Sequence, residues 1–160
     1  MSRLLRWASP FSLSAMMLVS ALSLAKPWQG ITPGGGASEL DVIGKFGEPT
    51  KRVSARGQMV LVYSGLQAIK GTVQAQFKCD PATKEVQRID VYPEPVIDVA
   101  AIERSYGRSC EATHGEEPCY WRKETAQKHA YFLYSKLGLA IFFKDDDKTV
   151  LSFAFLPSQP

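Results

Sequence analysis

Three cysteines and two histidines are the side chains of this sequence best suited to metal binding or nucleophilic catalysis. Cys110, His114 and Cys119 are close enough in sequence to ligate one metal ion, with Cys79 as a further thiol. Their spacing matches no standard zinc pattern, and thiolate ligands suit a reducing compartment better. In an oxidising compartment, a disulfide between Cys110 and Cys119 across a short polar loop is the simpler interpretation. That pairing leaves Cys79 as the odd cysteine.

Other groups that could do chemistry lack the partners that the chemistry needs. A nucleophilic cysteine requires a nearby base and a lowered thiol pKa, and the sequence shows neither. His114 and His129 belong to no serine or cysteine catalytic motif. The glycines at 34–36 could cradle a phosphate at a helix start, but Glu39 and Asp41 would repel it. We therefore predict no catalytic residue, no metal and no cofactor, and we do not expect an enzyme.

Aromatic and basic residues directly after the second loop cysteine indicate a candidate partner-binding tip. Tyr120, Trp121 and Arg122 follow Cys119, and Tyr134 lies in a later strand pattern. Trp, Tyr and Arg are favoured anchors of protein interfaces. A disulfide would hold such a tip in place. The alternative is that these side chains pack in the core or within a strand.

The first 25 residues have the pattern of a secretory signal peptide. Arg3 and Arg6 precede an apolar, serine-rich stretch without charge that ends at Ala25. A spanning helix needs about 20 apolar residues, and this run is shorter, so cleavage after Ala25 is favoured over an uncleaved anchor. A mitochondrial presequence is an alternative that the uncharged block fits poorly. We expect export to the periplasm or medium, in a bacterial envelope, without a stable membrane anchor after cleavage.

The charge of the chain does not indicate nucleic acid or an anionic membrane as a partner. There are 19 basic and 16 acidic residues, which give a formal net charge of +3. Loss of the predicted signal peptide removes two basic residues and leaves a charge of about +1. A domain this close to neutral is not expected to bind nucleic acid or an anionic membrane surface.

Hydrophobic periodicity predicts one short helix and three strands in the first half of the mature chain. Residues 26–36, rich in proline and glycine, are expected to form an irregular lead-in. Ser38 can cap a helix that ends at Gly47. Short turns favour antiparallel pairing of the three strands, which alternating apolar residues predict at 59–63, 72–77 and 85–91.

The same order of elements recurs in the second half. Asp98 can cap a helix that ends at Gly107, and strand patterns follow at 130–134, 139–143 and 149–155. We therefore predict an α+β fold of two tandem α-β-β-β repeats, at 37–94 and 96–157, in one compact unit. The helices would pack on one face of an antiparallel sheet, and the other face would be wet and available to a partner.

The first helix and its flanks resemble the helix signature of a group of small bacterial envelope proteins. The run from Gly36 to Pro49, with Tyr63 following in a strand, fits the pattern Gly-x-Thr/Ser-x-x-x-Val-x-x-x-x-Gly-x-Pro. This pattern is similar to that of the SmpA/OmlA outer-membrane assembly lipoproteins and the wider group with the β-lactamase-inhibitor-protein fold. The chain departs from the lipoproteins because it lacks their lipidated cysteine, has one helix per repeat instead of two, and has Arg108 and Ser109 where the second repeat would need Gly-x-Pro.

The resemblance implies an envelope protein, and its inhibitor-type members bind proteins through a concave sheet. We therefore favour an exported, non-catalytic module that binds a protein or envelope component through its sheet face and the 110–119 loop. One alternative is a small periplasmic thiol- or metal-dependent protein that uses Cys79, Cys110, Cys119 and His114. Another is a purely structural envelope component.

Overall fold

A computed structural model describes residues 26–158 of the chain. The predicted signal peptide, residues 1–25, lies outside the described residues. Within the described part, no helix is long and apolar enough to cross a membrane. In chain order the elements are α1 (Glu39–Phe46), β1 (Lys51–Ala55), β2 (Gln58–Ser64), β3 (Thr72–Cys79), β4 (Val86–Pro93), α2 (Val99–Tyr106), β5 (Trp121–Glu124), β6 (Ala130–Tyr134), β7 (Leu139–Phe143) and β8 (Val150–Phe155).

The eight strands form one antiparallel sheet in the order β1-β2-β3-β4-β8-β7-β6-β5. Within each half, strands that are neighbours in the chain pair with each other through short connections. The halves join where β8 pairs with β4 through three residue pairs, among them Asp90 with Ala154. The sheet is therefore continuous from the β1 edge to the β5 edge.

The predicted α+β fold with helices packed as a layer on one face is wrong, because the sheet dominates the structure. The two helices have eight residues each, and each buries one residue completely, Val42 in α1 and Ile102 in α2. The predicted α-β-β-β units are also short by one strand per half, since the sheet has eight strands. β1 and β5 were missed because all their residues are exposed, so that no apolar alternation marks them.

The helix boundaries follow the capping residues. The Ser38 side chain accepts a hydrogen bond from the Asp41 backbone N–H, and Asp98 caps α2 in the same way through Ala101. Both predicted caps are confirmed. Gly107 ends α2 with a φ of 104°, and a Cβ there would collide with the Pro118 carbonyl oxygen, so glycine is required at this close approach.

Each helix start is tied to the entry of a strand near the centre of the sheet. Ser38 forms an isolated bridge with Glu85 before β4, and Asp98 forms one with Thr149 before β8. These correspondences suit the two halves that the sequence predicts. Their origin by tandem duplication stays a prediction.

The core lies on the face of the sheet that carries the helices, which we call the inner face. A row of directly paired, buried side chains crosses it from β2 to β6: Leu61, Phe77, Ile89, Phe155, Leu139 and Tyr134. The segment 26–36 adds to this core without forming a helix or strand of its own. The Trp28 ring lies 5.9 Å from the Phe77 ring, 6.1 Å from Phe46 and 6.4 Å from Phe155, measured between centroids.

Candidate functional site

The face opposite the core, which we call the open face, is the candidate functional site. A second row of directly paired residues crosses all eight strands here: Lys51, Val62, Gln76, Asp90, Ala154, Ala140, Leu133 and Trp121. Side chains alternate between the two faces of a strand, and the buried residues of both helices belong to the inner-face core. Among the described elements, neither helix therefore covers the open face.

A buried carboxylate organises the middle of the open face. Asp90 on β4 is only 4% exposed. Its Oδ2 lies 2.6 Å from Lys78 Nζ, and its Oδ1 lies 2.7 Å from Arg88 Nη2 and accepts a hydrogen bond of 2.8 Å from Arg88 Nε. Lys78 and Arg88 are direct cross-strand partners, and like charges so placed repel. Asp90 lies between the two cations and offsets their repulsion. The three groups together have a net charge of +1.

Two adjoining cavities open on this face, and Lys78 and Arg88 line both. The cavity over β1 to β3, of about 500 Å³, has a polar and basic lining and is called the cationic cavity. The cavity toward β7 and β8, of about 600 Å³, is called the aromatic cavity. The cationic cavity is lined also by Lys51, Arg56, Gln58, Gln74 and Gln76, and the aromatic cavity by Tyr92, His129, Phe142, Leu151 and Ser152.

The predicted disulfide between Cys110 and Cys119 is confirmed, with an S–S distance of 2.03 Å. Its loop returns to the chain beside α2, where the Cys110 N–H donates to the Tyr120 carbonyl and Pro118 meets Gly107. The loop therefore lies toward the inner side, away from the two cavities. A disulfide is typical of proteins in oxidising compartments.

The four residues predicted to bind a partner do not form one surface. Tyr120 stacks on Phe132 with centroids 3.7 Å apart and donates a hydrogen bond to Glu103, and Tyr134 is 1% exposed. A partner that stays on the surface would not contact these two, so they are removed from the candidate site. Arg122 is exposed and pairs with Asp147 at 3.1 Å.

Trp121 is the one residue of that group on the open face. It is 46% exposed and pairs with Leu133 on β6 at the end of the open-face row. The row therefore runs from a basic residue, Lys51, at one edge of the sheet to an aromatic residue at the other.

Two of the three thiols of the thiol- and metal-dependent alternative are not available as metal ligands. Cys110 and Cys119 are bonded to each other. Cys79 is buried, and burial raises the pKa of its thiol to about 11, which opposes formation of a thiolate at neutral pH. Within the described residues, no three His, Cys, Asp or Glu side chains are grouped so that they could hold a metal ion.

Sequence reasoning missed the group formed by Lys78, Arg88 and Asp90. Their alternation with apolar neighbours places all three on one face of their strands. That signal could have marked them as open-face residues. They come into contact only through the register between β3 and β4, which cannot be read from the sequence.

Comparisons with known proteins bear on the fold. No protein-family model matches the chain, and no curated protein matches it. The chain is similar to the crystal structure of a DUF4309 family protein, YjgB, from Bacillus subtilis, with a TM-score of 0.56 and 14% sequence identity over 82% of this chain and 86% of that one. At this identity the likeness shows a shared fold alone.

A second solved structure has a weaker likeness. It is a cysteine-rich secretory protein from Staphylococcus aureus, with a TM-score of 0.37 and 13% identity over 72% of this chain and 42% of that one. A score of this size does not indicate a common fold. The resemblance to the envelope lipoproteins is not tested by these comparisons and stays a prediction.

Proposed function

We propose that this protein is an exported, non-catalytic binding module that holds a protein or envelope component on its open face. The observation that carries the proposal is the pair of adjoining cavities on that face, joined at Lys78 and Arg88. Ligand sites are typically concave and have a few placed polar groups. The open face provides both, and its two cavities are larger than the one of about 290 Å³ that Trp28, Tyr106 and Phe155 line on the inner face.

The charged centre of the face supports binding over a purely structural role. Burying a carboxylate between two cations is weak evidence for stability, since desolvation offsets the attraction. Lys78 and Arg88 remain 25% and 36% exposed at their side chains. They can therefore still contact a ligand while Asp90 holds them in position.

The non-catalytic part of the proposal rests on the positions of the reactive groups. Cys79 is enclosed in the core, and the other two cysteines form the disulfide. His129 lines the aromatic cavity but has Asp145 alone, at 3.7 Å, as an ionic partner. Within the described residues, no nucleophilic side chain is paired with His129 in the way that covalent catalysis requires.

Export is proposed from two features together. The first is the signal-peptide pattern at residues 1–25, and the second is the disulfide, which suits an oxidising compartment. The proposed location is the periplasm or the medium. In this proposal the disulfide loop holds the start of β5, where Trp121 lies. The loop itself does not contact the ligand that binds in the cavities.

Site-specific photo-cross-linking in the producing cells tests the proposal. A benzophenone amino acid replaces Gln76 on the open face in one variant and Arg104 on α2, as the control, in another; both side chains reach solvent. Intact mass of the purified chain should show a covalent adduct from position 76 and none from position 104. Absence of an adduct at 76, or equal adducts at both positions, would contradict binding on the open face and favour the purely structural alternative.

A further inference from the structure

Positive charge is concentrated in the cationic cavity. Lys51, Arg56, Lys78 and Arg88 line it, and no carboxylate other than Asp90 contacts any of the four among the described residues. Asp90 offsets one of these charges. The cavity therefore has a net charge of +3, which equals the formal net charge of the entire chain. A local excess of this kind attracts anions.

Three glutamine side chains with free amide groups line the same cavity as the cations. The side chains of Gln58, Gln74 and Gln76 line the same cavity and make no hydrogen bond to the described part of the chain. Each amide offers two donors and one acceptor oxygen, which matches hydroxyl groups as well as carboxylates. Because the backbone groups of β2 and β3 are used in the sheet ladder, recognition on this face falls to side chains.

The apolar floor and the length of the cavity indicate what shape of ligand it can bind. Val53, Val60 and Val62 form a floor of short branched side chains. Neighbouring strands lie about 4.8 Å apart, so the distance from β1 to β4 is roughly 14 Å. A single small anion would fill little of that length.

We infer that the cationic cavity binds an acidic polysaccharide, whose carboxylates pair with Lys51, Arg56 and the Lys78–Arg88 pair. The glutamine amides bind its hydroxyls, and the valine floor contacts the C–H face of its sugar rings. This inference rests on the proposed function and names the ligand class for the same face. An acidic peptide is the competing occupant, and titration with each kind of polymer distinguishes the two.

Calorimetric titration of the disulfide-bonded chain with oligogalacturonate tests the inference. Lys51→Gln/Arg56→Gln removes two exposed cations from the cavity, and Arg104→Gln/Arg108→Gln removes two exposed cations from the helix side. Exposed ion pairs contribute up to about 1 kcal/mol each, so the cavity variant should bind about fivefold or more weakly. The helix-side variant should bind within about twofold of the original chain. Salt should weaken the original interaction.

Each outcome of the titration has a defined meaning. Equal losses in both variants would show non-specific charge attraction and overturn the inference. Binding of poly-glutamate without binding of oligogalacturonate would assign the cavity to an acidic peptide. If neither polymer binds while the position-76 adduct forms, the polysaccharide inference fails and the proposed function stands. If the adduct is also absent, the proposed function fails as well.

Discussion

The hydroxyl of Tyr63 on β2 donates a 2.8 Å hydrogen bond to the carbonyl oxygen of Gly47, the residue that ends α1. The second half contains the same contact, from Tyr134 on β6 to Gly107 at the end of α2, also at 2.8 Å. Both tyrosines are almost fully buried. Each therefore fastens a helix end, whose carbonyl has no partner within the helix, to the inner face of the sheet.

Removing either hydroxyl should destabilise the protein. Tyr63→Phe and Tyr134→Phe keep the ring but leave a helix-end carbonyl without its donor, which costs about 1–2 kcal/mol. The free energy of unfolding from urea titration measures this. Tyr131→Phe is the matched control, because the Tyr131 hydroxyl has no hydrogen bond within the described residues, and its stability should be unchanged. Equal stability of all three variants would contradict the role of these contacts.

Alkaline pH should destabilise the fold through the buried tyrosines Tyr63 and Tyr120. Burial raises the pKa of Tyr63 to about 12, and burial together with the hydrogen bond to Glu103 raises that of Tyr120 to about 12; the unfolded value is about 10. Their stabilising contribution is complete below about pH 10 and is lost as the pH rises through 12. The urea midpoint should fall between about pH 10 and 12, and it should fall less in Tyr63→Phe. A midpoint independent of pH over this range would refute the prediction.

The segment before α1 should be required for full stability. Trp28→Ala removes the ring that packs on Phe46, Phe77 and Phe155, and it should cost about 3 kcal/mol. Trp121→Ala is the control, because this tryptophan is 46% exposed on the edge strand; its effect should stay within about 0.5 kcal/mol. Urea titration distinguishes the two. Similar losses of unfolding free energy in both variants would mean that Trp28 contributes no more to stability than an exposed tryptophan.

The disulfide should stabilise the second half without being essential for the sheet. Cys110 and Cys119 are separated by nine positions, and closing a loop of that length stabilises by about 2.5 kcal/mol in the chain-entropy model. Reduction should lower the urea midpoint of the original chain and leave that of Cys110→Ala/Cys119→Ala unchanged. Cys79 should resist alkylation until the protein unfolds. Rapid alkylation of Cys79 in the oxidised, folded chain would show that the core is more open than described.

Neutralising Asp90 should expose the repulsion that it balances. In Asp90→Asn, Lys78 and Arg88 face each other without a counter-charge, and because both remain partly exposed the cost is about 2 kcal/mol. Asp145→Asn is the control, since the Asp145 side chain is 97% exposed. Added salt should recover part of the loss in Asp90→Asn by screening the two cations. A salt-independent loss would assign the effect to packing.

Local signals allowed the helices and six of the strands to be predicted from sequence. Ser38 and Asp98 are capping residues whose side chains act within one turn, and Gly47 and Gly107 mark the helix ends next to them. The alternation of apolar residues follows from one buried face per strand. These patterns depend on neighbours in the chain, so the sequence displays them directly.

The remaining features depend on contacts distant in sequence. β1 and β5 are edge strands with every residue exposed, and only pairing with β2 and β6 makes them strands. Tyr134 looks like an interface anchor by residue type, yet its register opposite Leu139 turns it into the core. In the same way, Asp90 and the basic residues of the cationic cavity form one site only because of the strand register.

The position of β8 sets the order in which the described sheet can be completed. It is the last of the described strands in the chain, but it lies in the middle of the sheet, between β4 and β7. Until β8 pairs, β1 to β4 and β5 to β7 are two separate sheets, each with an open inner edge whose N–H and C=O groups are unpaired. Completion of the sheet, and with it of the central row that contains Ala154, must wait for this final strand.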